Sequence, residues 1–261
     1  MTEIRNLVNT GTRELNLISQ DTTFYGKDLT NNGSLLPELL RGIQQIPGDF
    51  WVRLLYTHPA HWTDDLIHTI AACDKVCRYI DMPLQHINDQ MLQAMRRETD
   101  GQFIRELVRK LRAGIPGVAL RTTFIVGFPG ETDEHFEELL AFIREGRFER
   151  LGVFTYSQED HTPAGTMAHQ VATKVKQQRR SKAMALQQKV SREIQRAFIG
   201  QNIRVLVEKQ TPRGFVGRTH ADAPEIDGEV HGRGVAEVGQ FAMVKVTSAA
   251  AYDLRGTLAD A

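Results

Sequence analysis

Three features of the 261-residue chain predict an α/β fold: a partial parallel (β/α) barrel followed by a small all-β barrel. Short apolar runs alternate with helical patterns over the first two-thirds. Those runs are polar on one parity and apolar on the other. After residue 200 the helices stop and short glycine-punctuated strands take over.

In chain order, helical patterns at about 2–10, 34–46, 63–77, 88–113 and 132–146 separate the strand-like runs 14-ELNLIS-19, 51-WVRLLYT-57, 79-YIDMPLQ-85, 118-VALRTTFIV-126 and 151-LGVFTYS-157. Strands joined through helices require crossover connections and hence a parallel sheet. Pro47-Gly48, Pro59 and the 114–117 segment fall where turns are needed. One strand parity holds Glu14, Asn16 and Gln20, then Arg53 and Thr57, Asp81 and Gln85, and Arg121 and Thr123; the other holds Leu15/Leu17, Val52/Leu54, Ile80/Met82/Leu84 and Phe124/Val126. A doubly wound sheet, buried on both faces, reads apolar throughout. Alternation instead predicts helices outside and a polar, ligand-holding lumen inside.

The stretch 173-TKVKQQRRSKAMALQQKVSREIQRAFIG-200 predicts one long helix, capped by Thr173 and closed by Gly200, with eight Lys/Arg and one acid, Glu193. Beyond it, 202–210, 213–219, 227–234, 241–249 and 251–259 read as five short strands of a closed barrel. The expected division is 1–172 for the barrel core, 173–200 for a basic linker helix and 201–261 for the terminal barrel.

Composition excludes rather than identifies. Formal net charge is zero and hydrophobic residues make up 41 %, which gives no prior for nucleic acid or an anionic membrane. No apolar run reaches the roughly 18 residues of a membrane span, and the N-terminus does not read as a signal peptide. Only Cys73 and Cys77 are present, which argues against a disulfide scaffold and for a reducing cytoplasm. They fall on the predicted helix 63–77 at i and i+4, a packing arrangement.

The stretch 121-RTTFIVGFPGET-132 holds more glycine than a structural βα turn requires, as though something approaches its backbone closely. With 14-ELNLISQDTTFYG-26, 79-YIDMPLQHIND-89, 112-RAGIPGVALRTTFIVGFPGET-132 and 154-FTYSQEDHTPA-164, the chain resembles the radical-SAM methylthiotransferases of the MiaB/RimO family, with a terminal barrel like the OB-like TRAM domain. Gln20-Asp21-Thr22-Thr23 and His86 resemble the branch that methylthiolates an aspartate of a small-subunit ribosomal protein; the other branch acts on a tRNA adenosine.

The resemblance implies S-adenosylmethionine bound across the C-terminal ends of the strands. Glu14, Asn16, Gln20, Asp81, Gln85, Arg121 and Thr123 would line the lumen, and Gly127 would lie against the adenine. It also implies 4Fe-4S clusters, one of them held by Cys-x3-Cys-x2-Cys, a motif that does not occur here. The chain reads as starting at the helix after the cluster loop. It would be a fragment, a split gene or a chain begun at an internal methionine, its N-terminal region absent or on a separate chain. The 14–19 strand would then be an unpaired edge, and activity of this polypeptide by itself is not expected.

For the substrate, residues 201–261 hold seven Lys/Arg against eight Asp/Glu, where an RNA-binding barrel would present surplus positive charge. The acidic run 222-DAPEIDGE-229 is either a solvated loop or, through Asp222, Glu225, Asp227 and Glu229, a docking face for a basic ribosomal protein or the ribosome. The basic helix leaves tRNA open as a partner. A catalytically silent binding module, and a metal-dependent lyase using His58, His61 and His86, also stay open.

Overall fold

The computed structural model describes residues 1–29 and 33–259. Five parallel strands form one sheet in sequential order: β1 (Glu14–Leu17), β2 (Trp51–Leu54), β3 (Val76–Asp81), β4 (Ala119–Val126) and β5 (Arg150–Thr155). The intervening helices are α1 (Thr2–Asn9), α2 (Leu36–Gln44), α3 (Asp64–Ala72), α4 (Asp89–Ala94), α5 (Gly101–Gly114) and α6 (Asp133–Gly146). Side-chain caps start three of the helices that cover the sheet. Thr63 accepts from Leu66 N–H, Asp100 from Phe103 N–H, and Thr132 forms a capping box with His135.

Strand parity sorts the two faces. Leu15, Val52, Leu54, Val76, Ile80, Leu120, Phe124 and Val126 pack with Leu40, Ile70, Ile104, Leu111, Leu139 and Ile143 of the helices. The opposite parity, Trp51, Cys77, Tyr79 and Ala119, packs against Leu206 and Ala223 of the C-terminal region. Helices therefore cover one face only, as the alternation predicts. Among the described residues β1 pairs with β2 alone and forms one edge of the sheet.

Helix α7 (Thr173–Arg196) packs on α6 and β5. It leads into a closed barrel of β6 (Asn202–Thr211), β7 (Gly214–Arg218), β8 (Val230–Arg233), β9 (Phe241–Ala249) and β10 (Leu254–Leu258), in the order β10-β8-β7-β6-β9. Val205, Val207, Phe215, Val230, Val244, Val246 and Leu254 fill it.

Four local expectations are corrected. The helix expected over 63–77 stops at Ala72, where Cys73 turns the chain, and Cys77 lies on β3 rather than one helical turn from Cys73. Gln44 holds Lys75 through backbone and side chain, and the β-favouring residues from Val76 onward then extend. The helix expected over 88–113 breaks between α4 and α5. Arg96 adopts φ +55°, Asp100 begins a new cap, and Gly101 sits where a Cβ would meet the Ile87 carbonyl at 2.2 Å. Thr173 does not cap α7, because Ala172 occupies the N-cap position without a side-chain bond. The basic linker helix α7 is also partly buried. Its buried stripe is Lys176, Arg179, Ala183, Gln187, Val190, Ser191 and Gln195, mostly polar groups that find specific partners.

Candidate functional site

At the C-terminal end of the sheet, a cleft of about 400 Å³ lies among Gln85, Arg97, Ile125, Phe128, Tyr156 and Met167. Gln85 follows β3 in a left-handed conformation, φ +70°. Its N–H donates to Thr123 O at 2.9 Å and its carbonyl accepts from Ile125 N–H at 2.8 Å, so the backbone stays in the sheet while the side chain turns away from it. Three buried polar atoms on these walls have no partner: Gln85 Oε1, Arg97 Nε and Tyr156 Oη. Buried polar groups are nearly always satisfied, so three orphans on one cleft mark a place prepared for a polar ligand with an apolar body.

Helix α7 braces this end. Lys176 donates to Tyr156 O at 3.0 Å and lies over the Tyr156 ring, while Phe128 meets that ring edge-on at 5.1 Å. Arg179 binds Glu131 Oε2 at 2.7 Å; the same carboxylate accepts from Gly127 N–H, and its other oxygen lies 3.2 Å from His86 Nε2. His86 and Glu131 are fully buried. One carboxylate thus ties together the segments after β3 and β4 and the helix that leads to the barrel.

Gly127 does not line this cleft. Its φ is +75°, and an added Cβ would meet Lys176 Cγ at 2.3 Å, so the space beside its Cα is filled by the α7 lysine. Positive φ also breaks the strand parity that placed Gly127 beside Arg121 and Thr123.

Of the other lumen candidates, Asn16 and Gln20 are exposed and Thr123 is half-buried beside the Gln85 backbone. The charged ones are spent on ion pairs. Glu14 sits between Arg53 Nε (2.7 Å) and Arg218 Nη2 of the terminal barrel (2.8 Å). Asp81 accepts from Arg121 Nη1 at 2.7 Å, and Arg121 Nε lies 3.6 Å from Asp227. The structure therefore brings only Gln85 of the eight predicted cofactor residues onto the cleft wall.

The acidic run is corrected too. Asp222 is buried, accepting from Arg150 Nε at 3.0 Å and Thr219 Oγ1 at 2.6 Å. The Asp227 side chain is 3 % exposed and accepts from Tyr79 Oη at 2.6 Å and Ala223 N–H at 2.8 Å. Burial raises the Asp227 carboxyl above its usual range despite those donors; burial, then Asp227 itself, pushes the Tyr79 phenol up. Of the run's four carboxylates, only Glu225 and Glu229 remain at the surface. Half of the run is therefore neither a solvated loop nor a docking face for another molecule, because Asp222 and Asp227 dock on the sheet of their own chain.

The histidines divide. His58 and His61 stand with Asp21 beyond the ends of β2 and β1, while His86 belongs to the Glu131 cluster. Burial would raise the Asp21 carboxyl, but hydrogen bonds from Thr23 and His61 outweigh it and hold it below the carboxylate range. Burial, then the Arg97 cation, lowers His58.

Residues 1–143 match the model of the radical SAM superfamily. The chain belongs to the radical SAM superfamily. Residues 199–258 match the TRAM domain, which is the closed barrel. The chain is 53 % identical over 264 residues to ribosomal protein uS12 methylthiotransferase RimO of Opitutus terrae, covering 97 % of this chain and 55 % of that protein. It is 48 % identical to the protein of the same name from Akkermansia muciniphila, covering 97 % and 58 %. The chain thus spans a little over half the length of these curated relatives. Among solved structures, the radical SAM enzyme coproporphyrinogen III oxidase of Escherichia coli superposes with a TM-score of 0.54 at 20 % identity, over 72 % of this chain and 44 % of that one, a likeness of fold.

The residues present fit the two cofactors of this superfamily unequally. The orphaned donors and acceptors and apolar walls of the cleft suit S-adenosylmethionine, which offers amino, ribose and adenine groups. An iron–sulfur cluster does not fit: Cys73 and Cys77 are two buried thiols in the core, and burial pushes Cys77 up to about 12, whereas cluster ligands are thiolates. Sequence reasoning missed Arg97, hidden inside what read as a continuous helix, and singled out Tyr156 only as part of a motif.

Proposed function

We propose that this chain is the cofactor-binding and barrel-bearing portion of a methylthiotransferase that acts on an aspartate of ribosomal protein uS12, with S-adenosylmethionine in the cleft of Gln85, Arg97 and Tyr156. The observation that carries the reading is the 53 % identity to the Opitutus terrae protein of that name over 97 % of the chain. Bound there, the cofactor supplies a methyl group and radical chemistry. Gln85 Oε1 accepts from a hydroxyl or amine donor, Arg97 Nε–H donates to an acceptor, and Tyr156 Oη can do either. Ile125, Phe128 and Met167 exclude water around the apolar part. The Glu131–His86–Arg179 cluster holds the turns that position these groups. Two buried thiols cannot supply three thiolates, so the ligands of a cluster would be other residues, the electron would come from a reductant through that cluster, and the isolated chain would be inactive. Glu225 and Glu229 stay available for encounter with a basic protein, and the small-subunit ribosomal protein is favoured over tRNA on the relatives' names.

Two measurements test this. Equilibrium dialysis of the chain with S-adenosylmethionine should give saturable binding, weakened roughly 2- to 13-fold by Gln85→Ala or Tyr156→Phe, since a neutral hydrogen bond contributes about 0.5–1.5 kcal/mol. Unchanged affinity in both variants places the cofactor elsewhere. The chain, joined to the portion of the Opitutus terrae relative that it does not span, should then add one methylthio group to uS12 in a strain lacking its own enzyme, read by mass spectrometry. Unmodified uS12 beside modified tRNA would overturn the substrate assignment.

A further inference from the structure

Asp21 follows β1 and His58 and His61 follow β2, so two adjacent parallel strands deliver all three to one corner of the sheet's C-terminal end. The loops are tied before the side chains meet. Thr22 N–H donates to Tyr56 O at 2.8 Å, and His58 N–H donates to Thr23 Oγ1 at 3.2 Å. Thr23 is fully buried, and its N–H donates to Asp21 Oδ1 at 2.9 Å while its hydroxyl donates to the same oxygen. One carboxylate oxygen is therefore fixed and the other is turned to His61 Nδ1 at 2.5 Å. Pro59–His61 form a 3-10 turn with His58 as its cap, and residues three apart on such a turn eclipse. The two imidazoles accordingly lie with ring centroids 5.0 Å apart.

A ring nitrogen from each histidine and an oxygen of Asp21 fall within 4.8 Å of one another. Ligand atoms 2.0–2.1 Å from a tetrahedral ion stand roughly 3.3 Å apart. Side-chain rotation covers both changes required: the Asp21–His61 pair opens by about an ångström, and His58 closes by no more than about 1.5 Å. An Asp–His hydrogen bond by itself explains two of the three residues but not the third. His58 Nδ1 is held only by a 3.3 Å contact from Ala60 N–H. The surrounding charge is mixed. Glu98 Oε2 lies 4.0 Å from His61 Nε2 and favours a cation, while Arg97 lies on the His58 side and opposes one. The Asp21 and His61 side chains are about one-fifth exposed, which leaves a route in and room for a further ligand.

We propose that Asp21, His58 and His61 bind a divalent transition ion of the zinc class, with a further coordination position open to water or an anion. Two imidazoles and one carboxylate with an open position form the donor set of a reactive rather than a closed structural zinc site. None of the three residues lines the cleft of Gln85 and Tyr156, although Arg97 borders both, and the proposal does not depend on the function proposed above.

The test uses the full chain, stripped with a chelator and titrated with Zn2+ against a chromophoric competitor, and with Co2+ read by visible absorption. One ion per chain is expected. Asp21→Asn, His58→Ala and His61→Ala should each weaken binding at least about 10-fold, and exposed His231→Ala should not. In parallel, Zn2+ should raise the melting temperature of the parent and of His231→Ala but not of His61→Ala, which separates lost coordination from a misfolded variant. Millimolar or absent Zn2+ binding by the parent, or binding that survives both histidine substitutions at this site, overturns the proposal.

Discussion

Asp222→Ala separates a buried strut from a surface acid. Asp222 faces Arg150, whose side chain is 8 % exposed, and its second oxygen accepts from Thr219. Removing the carboxylate leaves a guanidinium shut in between sheet and barrel without its counter-charge. Breaking a buried pair from one side costs about 3–5 kcal/mol. At roughly 2–4 °C per kcal/mol for a chain of this size, the melting temperature should fall by about 6–20 °C. A solvated docking residue would change stability by no more than about 0.5 kcal/mol, which is the expectation for Glu225→Gln and Glu229→Gln. Urea and thermal unfolding of the three variants measure the difference. Removing both charges in Asp222→Ala/Arg150→Met should recover part of the loss, because the desolvated cation is gone. If Asp222→Ala unfolds within about 1 kcal/mol of the parent, Asp222 is not a strut and the interface argument fails.

Gly127→Ala should destabilise by about 1–3 kcal/mol through the left-handed backbone and the overlap with Lys176, and Gly127→Ala/Lys176→Ala should recover the steric share in thermal melts. Burial, then the Arg53 cation, holds His220 below its usual 6.5, so the unfolded chain takes up that proton first. Stability should therefore be full above pH 6.5 and fall as the pH drops towards the folded value, and His220→Gln should flatten that slope in urea titrations between about pH 7.5 and 5.5. Arg179→Met leaves the fully buried Glu131 carboxylate without its cation. It should cost about 3–5 kcal/mol by urea unfolding and weaken S-adenosylmethionine binding, because the turn after β4 loses its anchor. Unchanged affinity in a folded Arg179→Met variant would detach that cluster from the cleft.

The sheet was legible because parity is a two-valued signal, and one face is truly apolar while the other is not. What lay on the polar face was not legible: the alternation of Glu14, Arg53, Asp81 and Arg121 is the same whether a ligand or a second domain satisfies those charges. Their partners Arg218 and Asp227 lie some 100 to 200 residues away in sequence. The stripe of α7 was hidden for a related reason. Lys176, Gln187, Ser191 and Gln195 are buried through hydrogen bonds to single carbonyl oxygens and Arg179 through bonds to Glu131 and Asp133, and hydrophobic periodicity does not record these. Gln85 could be found because it ends a strand on the right parity; Arg97 could not, because Asp100-Gly101, which marks the new helix, comes only after it and Arg96 itself carries no glycine or proline signal.

The ion pairs between sheet and barrel bear on how this protein can be taken apart. Residue 200 looks like a natural place to cut, since β6 begins at Asn202 and the barrel has its own apolar filling. Yet a cut there would part Glu14 from Arg218, Arg121 from Asp227, Arg150 from Asp222 and Arg53 from the His220 carbonyl, and would expose Arg218, Asp222 and Asp227 on the barrel piece. Neither half would be a stand-alone module. A barrel borrowed from another protein would have to bring the 218–227 segment in matching register, or find a sheet whose inner face had been rewritten to receive it.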